Sequence, residues 1–177
     1  IVCIPSAGSQ IKGDRYCYEL IRRLGKTGKA AFYLSGNLSP ALRYELQHLA
    51  SDIKIHAPGE QPYILNLADT AACDLTVSPT LAENLSSSFI ESLALGIPVV
   101  TFDVGGNKEL IRSGINGWLV PYLDIEALVT SSSFALAKPS KLDEIKLNTK
   151  SSVQTLLDSE RVVNEYTSLF ESLESAA

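Results

Sequence analysis

Six short apolar runs, each separated from the next by a longer stretch of helical character, constrain this 177-residue chain more than any other feature. The runs fall at residues 1–5, 30–34, 53–57, 75–78, 99–102 and 117–120. Between them the spacing predicts helices over 16–24 (Tyr16, Leu20, Ile21 and Leu24 on one face), 41–49, 63–71, 86–95 and 108–112. From Asp124 onward the pattern is helical, interrupted at Pro139. Gly25 and Gly96 close two of these helices, and Ser39-Pro40 has the capping and first-position chemistry of a helix start. Strands of four or five residues alternating with helices predict an α/β domain: a Rossmann-like, doubly wound parallel sheet of about six strands with helices on both faces. The length suffices for one such domain with a sizeable core, so residues 1–177 read as a single unit.

In a sheet of this kind each strand-to-helix loop opens at the carboxyl edge, where ligands bind. Loops 6–13, 35–38, 57–59, 79–85 and 103–107 gather there and hold most of the glycines and polar outliers. The formal net charge of −5, with lysines and arginines scattered, argues against nucleic acid as a partner. No apolar run approaches the ~18 residues that a membrane-spanning helix needs. Residue 1 lies inside the first apolar run with no charged leader ahead of it, so the natural protein is expected to extend upstream. Cys3, Cys17 and Cys73 lack metal-ligand spacing and read as small buried hydrophobes of a reducing compartment. His48 and His56 form no zinc pattern. Neither Gly105-Gly106 nor Gly8 with Gly13 completes a dinucleotide or P-loop glycine motif, and no nucleophile elbow is present.

The richest stretch, residues 79–106, reads PTLAENLSSSFIESLALGIPVVTFDVGG. Glu83 is placed in the loop before a helix and Glu91 on the helix itself, among Phe89, Ile90, Leu93 and Leu95. A charge in so apolar a helix is costly without a partner. Ser86, Ser87 and Ser88 supply caps at the helix start and leave backbone N–H groups that attract anions. Two acceptor carboxylates beside such a terminus suit a ligand carrying both hydroxyls and phosphate, as a nucleotide sugar does. Taken singly, Glu83 reads equally as a first-turn acid favouring the helix dipole, and Glu91 as a solvated helix residue.

The order of Glu83-Asn84-Leu85, then Glu91-Ser92-Leu93-Ala94-Leu95-Gly96-Ile97-Pro98-Val99-Val100, then Asp103-Val104-Gly105-Gly106-Asn107-Lys108-Glu109 resembles the E-x7-E segment and following strand of the retaining glycosyltransferase family 4, the glycosyl transferases group 1. The resemblance runs on through Gly114, Gly117 and Val120-Pro121 to a last helix containing Glu165-Tyr166-Thr167-Ser168-Leu169-Phe170, and upstream Lys12-Gly13 is similar to the family's basic loop. It is strong over residues 74–121 and weaker elsewhere. It implies the carboxyl-terminal, donor-binding half of a GT-B fold. Glu91 is then expected on the ribose hydroxyls and Glu83 near the donor sugar and reacting face. The amides around Asn84, Leu85 and Ser86 would approach the sugar and diphosphate, Lys12 would neutralise the diphosphate, and the loop His56, Ala57 and Pro58 would hold the base. Two positions depart from the family: Ser6 stands where an arginine is frequent, with Arg15 as a conceivable substitute, and Asn84 stands where glycine is frequent, a residue that tolerates unusual backbone angles.

What the resemblance implies about function is a hexosyltransferase moving sugar from a UDP- or GDP-sugar to a carbohydrate or lipid-linked acceptor, with no metal and no second cofactor. Acceptor contacts are expected in an amino-terminal domain outside this chain, toward which the last helix, about 159–175, would pack; alone, the chain is expected to bind nucleotide without transferring sugar. A cytoplasmic location is expected, with peripheral contact to the inner membrane face through that other half. A nucleotide-sugar 2-epimerase of the same architecture and a non-catalytic nucleotide-sugar-binding module stay open as alternatives. Few extra acid–base residues in the loops argue against the first, and joint retention of Lys12, Glu83 and Glu91 against the second.

Overall fold

In a computed structural model of the protein, residues 1–6, 8–49, 51–154 and 157–175 are described. Residue 7 of the first expected loop, and residues 155, 156, 176 and 177 of the expected carboxyl-terminal helical region, lie outside them. Six strands form: β1 (Val2–Ile4), β2 (Phe32–Ser35), β3 (Ile55–Gly59), β4 (Leu75–Ser78), β5 (Val99–Phe102) and β6 (Gly117–Val120). Eight helices accompany them among the described residues: α1 (Asp14–Gly25), α2 (Pro40–Gln47), α3 (Tyr63–Ala71), α4 (Ser87–Ala94), α5 (Asn107–Leu110), α6 (Ile125–Ala137), α7 (Pro139–Gln154) and α8 (Ser159–Glu174). All strand pairs are parallel, in the order β3-β2-β1-β4-β5-β6. The chain leaves β1 toward β3 and returns to the other side of β1 at β4. The carboxyl ends of β1 and β4 therefore flank the point where the winding reverses, the crevice in which such sheets hold ligands.

Both faces are covered, which is why the strands read as nearly continuous apolar runs rather than alternating ones. On one face Ile4, Phe32, Leu34, Val77, Val100 and Phe102 pack against Cys17, Leu20, Ile21 and Leu24 of α1 and Leu128 of α6. The opposite face holds two smaller clusters, one around Phe89, Leu93, Val99, Leu110 and Val153, the other of Cys3, Tyr33 and Cys73. All three cysteines are buried and free, and burial pushes the Cys17 thiol up. Ser39 caps α2 by accepting from the Leu42 amide, with Pro40 at the first position, as its sequence predicts.

Strand β3 departs from its expected bounds. It spans Ile55–Gly59, so His56, Ala57 and Pro58 belong to the strand and not to a loop beyond it. The sequence places a breaker at Pro58-Gly59, but β3 is the edge of the sheet and its pairing with β2 shifts register between His56 and Gly59, so Pro58 falls at an irregularity of an edge strand, where proline is tolerated. At the other end of the chain, no residue of α8 is buried; Val163, Tyr166, Leu169, Phe170 and Leu173 are all exposed. This is the face expected to pack toward a domain outside this chain, and within the described residues it is uncovered. No helix among them is long and apolar enough to cross a membrane.

Candidate active site

Lys12 ends a single turn of 3₁₀ helix, Gln10–Lys12, capped by the Ser9 side chain and leading into α1 through Gly13. Gly13 has a left-handed φ of 79°, and a Cβ there would sit 2.1 Å from the Pro79 carbonyl oxygen. The loop after β1 thus lies directly on the loop after β4, and the Leu81 amide bonds the Ile11 carbonyl at 2.8 Å. Across this seam Lys12 Nζ meets Glu83 Oε2 at 2.6 Å, with the side chains 30 % and 14 % exposed. Two residues 71 positions apart in sequence are thereby paired at the reversal point between β1 and β4.

Glu83 is held from behind by the loop after β5. A Cβ on Gly105, whose φ is 55°, would fall 1.6 Å from the Glu83 carbonyl oxygen, and the Gly106 amide donates to the Asn84 carbonyl at 2.8 Å. This close backbone approach, rather than phosphate binding by a glycine loop, is what the Gly105-Gly106 pair permits. Asn84 does not use the left-handed region that its side chain tolerates: the described non-glycine residues with positive φ are Ser6 and Leu123. The left-handed conformation is taken up by Gly105 across the seam instead. Asn84 and Leu85 are exposed beside the pair.

The start of α4 differs in detail from a capped terminus. Ser86 occupies the N-cap position without a side-chain cap; its hydroxyl lies 3.0 Å from that of Ser88. The Phe89 amide bonds back to the Ser86 carbonyl at 3.1 Å, and the Ser87 and Ser88 amides ahead of it have no partner within the helix, a local arrangement that favours an anion. Glu91, one face further along the helix, is half-buried and accepts from the Tyr63 hydroxyl at 3.1 Å. Donating to this carboxylate holds the Tyr63 phenol above its usual range. Tyr63 was not singled out by sequence; its signal is an aromatic residue on the first turn of a helix that starts at the carboxyl edge, and it is 62 % exposed.

His56 sits apart from these groups. Its ring stacks on Tyr33, with centroids 6.0 Å apart, on the sheet face covered by α3. Burial pushes the Tyr33 phenol up to about 12, and its hydroxyl donates to Asn66. Arg15 is exposed on α1, and Ser6 is held at φ 53° with its carbonyl accepting from Gly8. The structure therefore brings Lys12, Glu83, Asn84, Leu85 and Ser86 together, with Glu91 along the same helix, and leaves the His56 side chain outside that group. Among the described residues there is no cluster of three His, Cys, Asp or Glu side chains able to hold a metal ion.

A family model described as glycosyl transferases group 1 matches residues 1–137. The chain is 30 % identical over 141 residues to WcaL of Salmonella typhimurium, named for colanic acid biosynthesis, covering 75 % of this chain and 34 % of that protein. It superposes on a glycosyltransferase from Rickettsia africae with a TM-score of 0.85 at 19 % identity, over 99 % of this chain and 48 % of that one. Anabaena HepE, in complex with UDP and glucose, gives a TM-score of 0.79 at 22 % identity, over 98 % and 48 %. The chain thus spans about a third of the length of WcaL and just under half of each of these two structures.

Proposed function

This chain belongs to the glycosyl transferases group 1 family, and from that premise we propose that it is the donor-binding half of a retaining hexosyltransferase using a nucleoside-diphosphate sugar. The observation that carries the reading is the Lys12–Glu83 pair at the reversal point of the sheet, beside the open start of α4. An ammonium group has three donors, so Lys12 can keep its bond to Glu83 and donate to a diphosphate oxygen at the same time. Together with the first amides of α4 it supplies positive charge where the leaving group gains negative charge. Glu83, anchored by Gly105 and Lys12, accepts from the donor sugar's hydroxyls. Glu91 accepts from the ribose hydroxyls, its orientation set by Tyr63.

The base lies toward the carboxyl end of β3, against backbone groups of Ala57 and Pro58 rather than the His56 ring. UDP or GDP fits this reading, and HepE, which shares the fold, is known in complex with UDP and glucose. A carbohydrate or lipid-linked acceptor enters from a second domain outside this chain, to which the exposed apolar face of α8 is offered. In the full-length protein, Glu83→Ala is expected to reduce sugar transfer far more than nucleotide affinity. Steady-state transfer assays paired with calorimetry test this, and unchanged turnover would remove Glu83 from the site. Product anomers read by NMR test retention.

A further inference from the structure

The loop that carries Glu83 is fixed carbonyl by carbonyl, and one of the fixings comes from a loop that no donor contact uses. The Ala82 carbonyl accepts from the buried Thr80 hydroxyl at 3.1 Å, and the Asn84 carbonyl from the Gly106 amide at 2.8 Å. Leu81 is gripped on both sides. Its amide donates to the Ile11 carbonyl at 2.8 Å, and its carbonyl accepts from the Tyr122 hydroxyl at 3.1 Å. Tyr122 follows β6, two strands away from β4 in the sheet. Its ring spans that gap by standing edge-on to Phe102 at the end of β5, with centroids 6.3 Å apart, and Phe102 meets Tyr16 of α1 in the same way at 5.5 Å.

The turn that presents Tyr122 is strained. The Asp124 amide closes it on the Pro121 carbonyl at 3.1 Å, and Leu123, at its third position, is held at φ 65°. Glycine or asparagine is favoured at that position of a turn, and a leucine persists there only where its surroundings enforce it. Leu123 is 42 % exposed, so burial of its side chain offsets little of the strain. Tyr122 is 48 % exposed, and water can satisfy its hydroxyl, so a bond made only for stability gains little there. What turn and ring achieve together is to press the Leu81 peptide against the Ile11 peptide. Lys12 follows Ile11 and Glu83 lies two residues beyond Leu81, so this one backbone junction sets the separation of the two charges. We propose that Tyr122 is a positioning residue: its hydroxyl, delivered by the strained turn 121–124, holds the Leu81–Ile11 junction so that Lys12 and Glu83 meet the donor in a fixed geometry. The tie to the junction stands on the hydrogen bonds; its bearing on a donor rests on the nucleotide-sugar reading.

Tyr122→Phe keeps the ring on Phe102 and removes only the hydroxyl. Two measurements on the full-length protein test its role: hydrogen exchange without nucleotide, and calorimetry with UDP and with uridine. Exchange of the Leu81 amide is expected to quicken about two- to tenfold, as when one neutral hydrogen bond is lost beside it. UDP affinity is expected to fall about two- to fivefold while uridine binds as before, because Lys12 acts on the diphosphate. In a Lys12→Ala background the same substitution is expected to cost no further UDP affinity, which marks an effect passed through Lys12. A residue that merely stabilises the fold would lower UDP and uridine binding alike and add its loss to that of Lys12→Ala. Either of those results overturns the proposal, as does unchanged UDP affinity or unchanged exchange at Leu81. If exchange quickens but the native protein binds no UDP, the tie between Tyr122 and the junction stands and the donor reading fails.

Discussion

The reversal point between β1 and β4 and the outer edge at β3 face the same proposed ligand, yet they are built in opposite ways. At the reversal point three loops lie backbone on backbone: Gly13 against Pro79, Gly105 against Glu83, and Gly106 bonded to Asn84. The charged pair held there is mostly shielded from water. At the β3 edge, His56, Ala57 and Pro58 are exposed, and the strand has a neighbour on one side. A pre-organised end and an open end teach where binding energy resides. On the proposed reading, the paired loops would hold the diphosphate and sugar with groups already in place, and the exposed edge would receive the base.

Breaking the rigid end should have the largest effect. Gly105→Ala would drive a Cβ into the Glu83 carbonyl and force a left-handed backbone on alanine. Urea denaturation is expected to show a loss of about 2–4 kcal/mol, in the range for overpacking combined with backbone strain. A change below about 1 kcal/mol would mean that the two loops part readily. Next comes Lys12→Ala, expected to lower nucleoside diphosphate affinity about ten- to a hundredfold, the worth of one charge-assisted hydrogen bond. The nucleoside without phosphates should bind as before; equal losses for both in calorimetry would take Lys12 away from the diphosphate.

The boundary between the two regions is Tyr63. Its hydroxyl donates to one oxygen of Glu91, and the other oxygen is the one proposed to accept from ribose. Tyr63→Phe is expected to weaken UDP binding about two- to tenfold, as for one neutral hydrogen bond, and unchanged affinity would show that Glu91 needs no orienting partner. At the open end, His56→Ala should alter UDP affinity by less than about twofold, because the ring packs on Tyr33 away from the paired loops. A tenfold loss would instead make the histidine a base contact and erase the contrast between the two regions.

The same contrast governs what was legible in the sequence. All six strands were readable because burial on both faces writes a strand as an apolar run, whereas the bounds of β3 were misplaced because an edge strand tolerates Pro58. Lys12, Glu83 and Glu91 stood out by residue type and order. Their partners did not: the Lys12–Glu83 bond depends on strand order, and Tyr63 reaches Glu91 only because α3 and α4 cover one face. The role of Gly105 was likewise hidden, since close approach of two loops leaves no periodic signal. The apolar stripe of α8 was visible as a pattern, but a pattern says only that a face wants cover, and within the described residues nothing covers it.

The central claim is that nucleotide is held at the seam joining the loops after β1, β4 and β5. Titrating the chain with UDP while following backbone amides by NMR addresses it directly. Saturable shifts are expected at Lys12, Gly13, residues 84–89 and Gly105, with smaller ones at Ala57 and Gly59. Shifts confined to the opposite edge of the sheet, around Ala31, Lys54 and Cys73, would contradict it.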